Sequence, residues 1–141
     1  MTNHREPRTL RQESQERLAS ITFYDVETVD DARTFMSALN TSVGCPSPPN
    51  TVVTFDVVNL HSSARCDDSL VIRTHQPVSE TIDAWCRVAN LVAWIRLYPT
   101  VESANTPGPG ASASSPPTDQ EAEQTLSVTA TALYAAWNTA R

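Results

Sequence analysis

The sequence predicts an α+β fold in which two helices pack against an antiparallel sheet of about five strands, in the order β-α-β-β-β-β-α. The strongest observation is a pair of alternating segments within residues 80–98, which predicts a long hairpin with Ala89 and Asn90 as its two-residue loop. Two amphipathic helical patterns, one after the first strand and one near the end of the chain, supply the helices.

The first strand is predicted at residues 19–26, where ASITFYDV alternates between its two sides. Thr28 and Asp31 then have the spacing of a capping box, with Asp in place of the usual Glu, and predict the start of the first helix. Gly44 is expected to end this helix. Its buried stripe consists of Ala32, Phe35, Met36, Leu39 and Val43.

The middle of the chain is predicted to contain two strands. Three prolines in residues 45–50 exclude helix and central strand and predict a stiff loop. Residues 51–60 are rich in β-branched side chains and predict one strand, and residues 70–74 predict the next. The segment HSSARCDD at 61–68 is then a polar turn between them.

The predicted hairpin has two different faces. Its loop sets three opposed pairs, which are Val88 and Leu91, Trp85 and Trp94, and Asp83 and Arg96. The core face carries Ile82, Ala84, Cys86, Val88, Leu91, Ala93, Ile95 and Leu97. The other face is amphipathic and carries Asp83, Trp85, Arg87, Val92, Trp94, Arg96 and Tyr98.

The two ends of the chain differ from its centre in composition. Residues 1–18 are poor in apolar side chains and predict a disordered or marginally helical arm before a single domain at 19–141. Within that domain, residues 101–117 predict a flexible linker rich in Pro, Gly and Ser that carries no core residue. A capping box of Thr118 and Glu121 predicts the start of the second helix. The buried stripe of that helix consists of Leu126, Thr129, Ala130, Leu133, Trp137 and Ala140.

Charge and hydropathy exclude several classes of protein. The chain has 16 acidic residues and 10 basic ones, all of them arginine, so its net charge of −6 argues against general nucleic-acid binding. No segment approaches the ~20 apolar residues of a membrane span. The first twenty residues also lack the apolar core and cleavage site of a secretory signal. We therefore expect a soluble chain that is intracellular, or one whose export signal lies outside this sequence.

Catalytic and metal-binding motifs are weak. One group of ligand-type residues has no standard zinc spacing and is better interpreted as a polar turn with a histidine at a strand end; it comprises His61, Cys66, Asp67, Asp68 and His75. Ser62 and Ser63 stand outside any G-x-S-x-G motif, and the three glycines cannot form a phosphate-binding loop. We therefore expect neither an enzyme nor a protein with a metal or cofactor.

The amphipathic face of the hairpin is the best candidate binding site. Its candidate residues are Trp85, Arg87, Trp94, Arg96 and Tyr98, which would form a rigid aromatic surface with cationic edges. An alternative is that one helix covers this face and makes both tryptophans part of the core. The sequence leaves these two arrangements open.

Four segments give the chain a resemblance to a known family. They are FMSALNTSVGC, CDDSLVIR, CRVANLVAWIRL and the alanine-rich terminal helix after the linker. Together, over about residues 19–141, they resemble the secreted sensor-domain lipoproteins of actinobacteria, which are similar to the extracellular sensor domain of a mycobacterial receptor serine/threonine kinase. Family members carry glycine at the positions of Cys66 and Ala89, and this chain does not.

The resemblance implies a non-enzymatic extracellular sensing domain that binds a ligand or a protein partner. It also implies a location outside the cell or in the cell envelope, although a cytoplasmic location stays open because this chain shows no signal peptide. Family members have further strands at the amino-terminal side. The chain would then correspond to the carboxyl-terminal part of such a domain.

Three cysteines allow one disulfide and one unpaired thiol. Cys45 ends a helix whose stripe faces the sheet and Cys86 points into the core, so the expected bridge is Cys45–Cys86, and the resemblance implies the same pair. Cys66 would be left over. The alternative is that all three cysteines are reduced in a cytosolic protein.

A second function of a different class is an intracellular interaction or assembly protein that forms a homodimer. The strand at 51–60 is long and β-branched, and the chain has no lysine to protect a sheet edge. Two copies could pair these edges or stack their Trp85 and Trp94 faces.

Overall fold

A computed structural model of the chain describes residues 8–13, 18–43, 53–77, 79–101 and 114–139. They form an α+β fold with an antiparallel sheet and two α-helices, which confirms the predicted class and the order β-α-β-β-β-β-α. The main sheet has six strands rather than about five, because one more strand precedes the predicted ones. The elements are β1 Arg8–Glu13, β2 Leu18–Asp25, α1 Val29–Val43, β3 Thr54–Val57, a 3-10 helix His61–Arg65, β4 Asp68–His75, β5 Glu80–Val88, β6 Leu91–Leu97, β7 Thr100–Val101, β8 Ser114–Ser115 and α2 Asp119–Thr139.

The extra strand lies in the segment for which the sequence predicts a disordered or marginally helical arm. In the structure β1 pairs antiparallel with β2, and Leu10 lies opposite Ile21. Main-chain hydrogen bonds along the edge of β2 need no apolar side chains, so the polar composition of residues 1–18 gives no sign of them. The remainder of the predicted arm, residues 1–7 and 14–17, lies outside the described residues.

The sheet has the strand order β1-β2-β6-β5-β4-β3 and is antiparallel throughout. The β5–β6 hairpin has the predicted register, with Val88 opposite Leu91, Trp85 opposite Trp94 and Asp83 opposite Arg96. Ala89 in the loop has a φ of 53°, the left-handed conformation that a two-residue hairpin loop requires.

The two helices lie on opposite faces of this sheet. α2 covers the predicted core face of the hairpin, where the cluster includes Ile82, Ile95, Leu126 and Leu133, all at most 3% exposed. α1 packs on the other face, with Met36 against Leu70, Ile72 and Val92. All residues of the predicted α1 stripe are in this second cluster, namely Ala32, Phe35, Met36, Leu39 and Val43. Its other members are Val26, Leu70, Ile72, Val92, Tyr24 and Trp85.

Capping at both helices follows the predicted spacing. The Asp31 N–H donates to Thr28 Oγ1 at 3.0 Å at the start of α1. At the start of α2 the Glu121 N–H donates to Thr118 Oγ1 at 3.2 Å, and the Thr118 N–H donates to Glu121 Oε1 at 3.2 Å. All three donors are main-chain N–H groups at the starts of the helices, and the side chains of the capping residues satisfy them.

The carboxylate of Glu123 fixes α2 against the 3-10 helix. It accepts hydrogen bonds from the Ser62 N–H at 2.8 Å and from Ser62 Oγ at 2.7 Å, and also from the His61 N–H. These bonds hold the pKa of Glu123 below its usual value, the Ser62 hydroxyl being the largest cause. α2 is thereby attached to the segment between β3 and β4 as well as to the sheet.

The predicted linker at 101–117 lies largely outside the described residues, which resume at Ser114. The described part pairs β7 with β8, with Thr100 opposite Ser115. Pro117 is less than 2% exposed, so the expectation that the segment carries no core residue is wrong. Its carbonyl accepts a hydrogen bond from Arg73 Nη1 at 2.8 Å, and this bond connects the segment before α2 to β4.

The predicted Cys45–Cys86 bridge is wrong, because Cys86 is bonded to Cys66 with a Cα–Cα distance of 5.4 Å. Cys66 lies between the end of the 3-10 helix and the start of β4. Three residues further on, Ser69 of β4 lies opposite Cys86 of β5, so the pairing of these strands brings Cys66 close to Cys86. Sequence spacing alone could not show this approach, because it depends on the pairing of β4 with β5. Cys45 lies outside the described residues.

Candidate functional site

The candidate site lies on the α1 face of β5 and β6, and an aromatic stack is its central feature. The rings of Trp85 and Trp94 are stacked with centroids 5.9 Å apart and an interplanar angle of 4°. The Arg96 guanidinium carbon lies 5.6 Å from the centroid of the Trp94 ring, within cation–π range. The predicted association of these three side chains is therefore present.

A buried carboxylate fixes one ring of the stack and the neighbouring guanidinium. Asp83 is 5% exposed and accepts hydrogen bonds from Trp94 Nε1 at 3.0 Å and from Arg96 Nε at 2.8 Å. The bond to Asp83 is the main reason that the pKa of Arg96 is raised, and Tyr98 adds to the same effect. The indole and the guanidinium are thus held in one geometry before any partner binds.

The helix α1 covers only part of this face. Trp85 is half-buried and packs against the cluster beneath α1, and Trp94, Arg96 and Tyr98 are half-buried as well. Of the two arrangements that the sequence left open, neither is fully realised, because α1 packs on this face and yet both tryptophans are only half-buried. We call Trp94, Arg96 and Tyr98 the aromatic platform, with Trp85 as its support.

Arg87, the fifth predicted binding residue, does not belong to the platform. It is 4% exposed, and its Nε donates to Asp68 Oδ2 at 2.7 Å while its Nη1 donates to the Ala89 carbonyl at 2.9 Å. These bonds tie the hairpin loop to the start of β4. The alternation of the strand placed Arg87 on the correct face, but burial by neighbouring elements is not visible in that pattern.

The ligand-type group around the turn has structural partners. Cys66 is in the disulfide, and Asp67 accepts from the Ala89 N–H at 2.8 Å and from the Tyr134 hydroxyl at 3.2 Å. The contact with Asp67 raises the pKa of Tyr134. Within the described ranges, no group of three or more His, Cys, Asp or Glu side chains is arranged to hold a metal ion.

A charged cluster at the other end of the sheet was not anticipated from the sequence. His75 Nδ1 lies 2.7 Å from Glu80 Oε1, and His75 Nε2 lies 2.6 Å from Asp56 Oδ2. Both carboxylates raise the pKa of His75, with Glu80 the larger cause, and His75 in turn lowers the pKa of Glu80. An imidazolium can donate to both carboxylates at once, so the protonated ring ties β3, β4 and β5 together.

Arg73 extends this cluster to α2. Its Nη2 donates to Asp119 Oδ1 at 2.7 Å and its Nη1 donates to Glu80 Oε2 at 3.2 Å. Opposed positions supply the signal that could have revealed the cluster, since Asp56 lies opposite Arg73 and His75 lies opposite Glu80. These opposed pairs can be recognised only when the register of β3, β4 and β5 is known.

Comparison of the chain with protein-family models, with curated proteins and with solved structures finds no match. Among the helices of the described residues, none is both long enough and apolar enough to cross a membrane.

Proposed function

We propose that this chain is a non-enzymatic binding domain of the cell exterior or cell envelope, and that it contacts its ligand or protein partner through the aromatic platform. The observation that carries the proposal is the pre-ordered geometry of Trp94 and Arg96 on the buried carboxylate of Asp83. A side chain that is already fixed loses little conformational entropy when a partner binds.

The chemistry of the platform indicates what it could recognise. The indole of Trp94 offers an apolar face for a planar ring or for the apolar face of a sugar. Arg96 lies beside it with a side chain 40% exposed, and its guanidinium can donate to carboxylate or hydroxyl oxygens of the same ligand. An aromatic or sugar group with an adjacent oxygen acceptor is therefore the proposed ligand class.

The Cys66–Cys86 disulfide supports the proposed location. Disulfides persist in oxidising compartments and are rare in the cytosol. The resemblance to secreted sensor-domain lipoproteins supports the same location. The competing intracellular assembly protein would have to retain this bridge against the reducing agents of the cytosol.

NMR titration of the 15N-labelled protein tests the platform. The probes are aromatic carboxylates, such as benzoate and indole-3-acetate, and oligomers of N-acetylglucosamine. We expect at least one probe class to shift the indole N–H signal of Trp94 and the side-chain signal of Arg96, because both groups line the platform.

Trp94→Ala should abolish the binding, and Val128→Ala is the matched control because Val128 is an exposed apolar residue on α2, at 70% exposure. The proposal fails if no probe class shifts the platform signals, or if the shift of the Arg96 side-chain signal persists in Trp94→Ala.

A further inference from the structure

The strand β3 at the edge of the sheet exposes apolar side chains. All four of its residues are exposed, and Phe55 and Val57 keep 54% and 57% of their surface accessible. Both side chains lie on the α1 face of the sheet, because Val57 pairs with Ile72 in the α1 cluster and Phe55 lies two residues before it. Within the described residues, β3 has a single neighbouring strand, β4.

The backbone of β3 also offers hydrogen-bonding groups on its outer side. The Val58 N–H donates to the Val71 carbonyl at 2.9 Å, so Val58 and every second residue before it direct their main-chain groups to β4. The intervening residues Phe55 and Val57 therefore direct their N–H and C=O groups away from the sheet. An edge of this kind is a template for one more strand.

This edge is held in place before any pairing. Asp56 lies between the two apolar residues on the opposite face of the strand, and its carboxylate is bonded to His75. Asp119 of α2 and Glu80 of β5 belong to the same charged cluster through Arg73. β3 is thereby fastened to β4 by side chains as well as by its ladder.

The sequence of β3 favours a second copy of itself as the added strand. In an antiparallel pair centred on Phe55, the two Phe55 rings are opposite each other, Val57 is opposite Val53 of the other copy, and Asp56 is opposite Thr54. Apolar side chains then meet apolar side chains, and the carboxylate faces a hydroxyl. Shifting the centre to Asp56 would place two carboxylates directly opposite each other, which is unfavourable.

We propose that two copies of this chain associate through their β3 edges in the register centred on Phe55, so that the two sheets become continuous across a twofold axis. Phe55 directs its main-chain groups outward, so the two Phe55 residues form a hydrogen-bonded pair in this register. The interface is separated from the aromatic platform by the intervening strands of the sheet. Its existence does not depend on the proposed ligand.

The interface is short, so the association should be weak. Stable interfaces bury about 1,200–2,000 Å² in total, and one pair of short strands buries less, which indicates a dissociation constant on the order of 10 to 100 µM. Sedimentation equilibrium from about 5 to about 500 µM spans this range. We expect a reversible transition from monomer to dimer.

The first test is charge substitution at the edge. Phe55→Glu places two carboxylates opposite each other and should weaken the dimer about tenfold or more. Val128→Glu removes an apolar residue of α2 that is 70% exposed, compared with 54% for Phe55, and should leave the dissociation constant unchanged. A monomer at all concentrations overturns the proposal, and so does a Phe55→Glu dimer as tight as the unsubstituted one.

The second test determines the register by cross-linking. In a Cys45→Ser background, Phe55→Cys should form a disulfide-linked dimer under mild oxidation, because opposed Cα atoms of a hydrogen-bonded pair are about 5.5 Å apart. Val57→Cys should not link to itself, because it faces Val53 of the other copy. Linking of Val57→Cys as readily as Phe55→Cys would overturn the proposed register.

Discussion

Asp83 and Arg96 lie directly opposite each other in the β5–β6 hairpin, and the buried carboxylate of Asp83 holds both the guanidinium of Arg96 and the indole of Trp94. A non-hydrogen-bonded pair brings opposed side chains close together, which makes this threefold contact possible. Asp83 touches nothing outside the protein in the proposed binding mode. Its role is to position the two side chains that do.

Replacing Asp83 by Asn tests this positioning. The change keeps the size of the side chain and removes the charge that two donors share, so we expect the free energy of unfolding to fall by about 2–3 kcal/mol. Urea denaturation measures the loss, and the NMR signal of the Trp94 indole N–H should move. Asp30→Asn is the matched control, since its ion pair with Arg33 has side chains 91% and 63% exposed and should contribute less than about 0.5 kcal/mol. Equal effects of the two variants would contradict the role of Asp83.

The disulfide makes a prediction about both connectivity and stability. Peptide mapping without reductant should recover Cys66 joined to Cys86. The denatured, unreduced protein should contain one free thiol by titration, because the bridge uses two of the three cysteines. Substituting both bridge cysteines by Ala should lower the free energy of unfolding by about 3 kcal/mol, from the entropy of the opened loop with a sequence separation of 20. Cys45→Ser should retain the bridge. A peptide joining Cys45 to either partner would refute the assignment.

The charged cluster at His75 predicts a pH dependence of stability. The pKa of His75 is raised from 6.5, so its contribution is complete below about 6.5 and is lost as the pH rises through the folded-state value. The pKa of Glu80 is lowered from 4.5, so its contribution is complete above about 4.5 and is lost as the pH falls through its folded-state value. The cluster should therefore stabilise the fold most between pH 4.5 and 6.5.

Thermal unfolding of His75→Gln measured across this range tests the prediction. The variant should lose the decline in melting temperature that we expect in the unsubstituted protein above pH 6.5. His61→Gln provides the control, because His61 is exposed and the two carboxylates of the cluster, Asp56 and Glu80, are bonded to His75 instead. If His75→Gln keeps the full decline, another group is responsible.

The hairpin loop predicts a stabilising substitution. Ala89 has a φ of 53°, a conformation that costs a non-glycine residue about 1–2 kcal/mol, so Ala89→Gly should raise the free energy of unfolding. The greater freedom of glycine in the unfolded chain offsets part of this gain, which leaves about 0.5–1 kcal/mol. Asn90→Gly should destabilise instead, because Asn90 Nδ2 donates to the Val26 carbonyl at 2.7 Å. Urea midpoints of the two variants that shift in the same direction would contradict this account.

Local periodicity in the sequence determined much of the fold. Alternation in residues 80–98 is strict enough to give the hairpin register, the opposed tryptophans and the core face, because side chains of a strand must point alternately to its two sides. Helical spacing and capping likewise gave both helices. These features depend on residues near each other in the chain, which is why one sequence suffices to predict them.

Only the tertiary structure decided which distant segments meet. The pairing of β4 with β5 brings Cys66 to Cys86 and His75 to Glu80, and the pairing of β3 with β4 adds Asp56 to His75. Burial of Arg87 and partial coverage of the tryptophan stack also depend on where the turn and α1 settle on the sheet. The physical reason is that side-chain periodicity specifies the face of an element, whereas the neighbour across that face is selected by the packing of the whole chain.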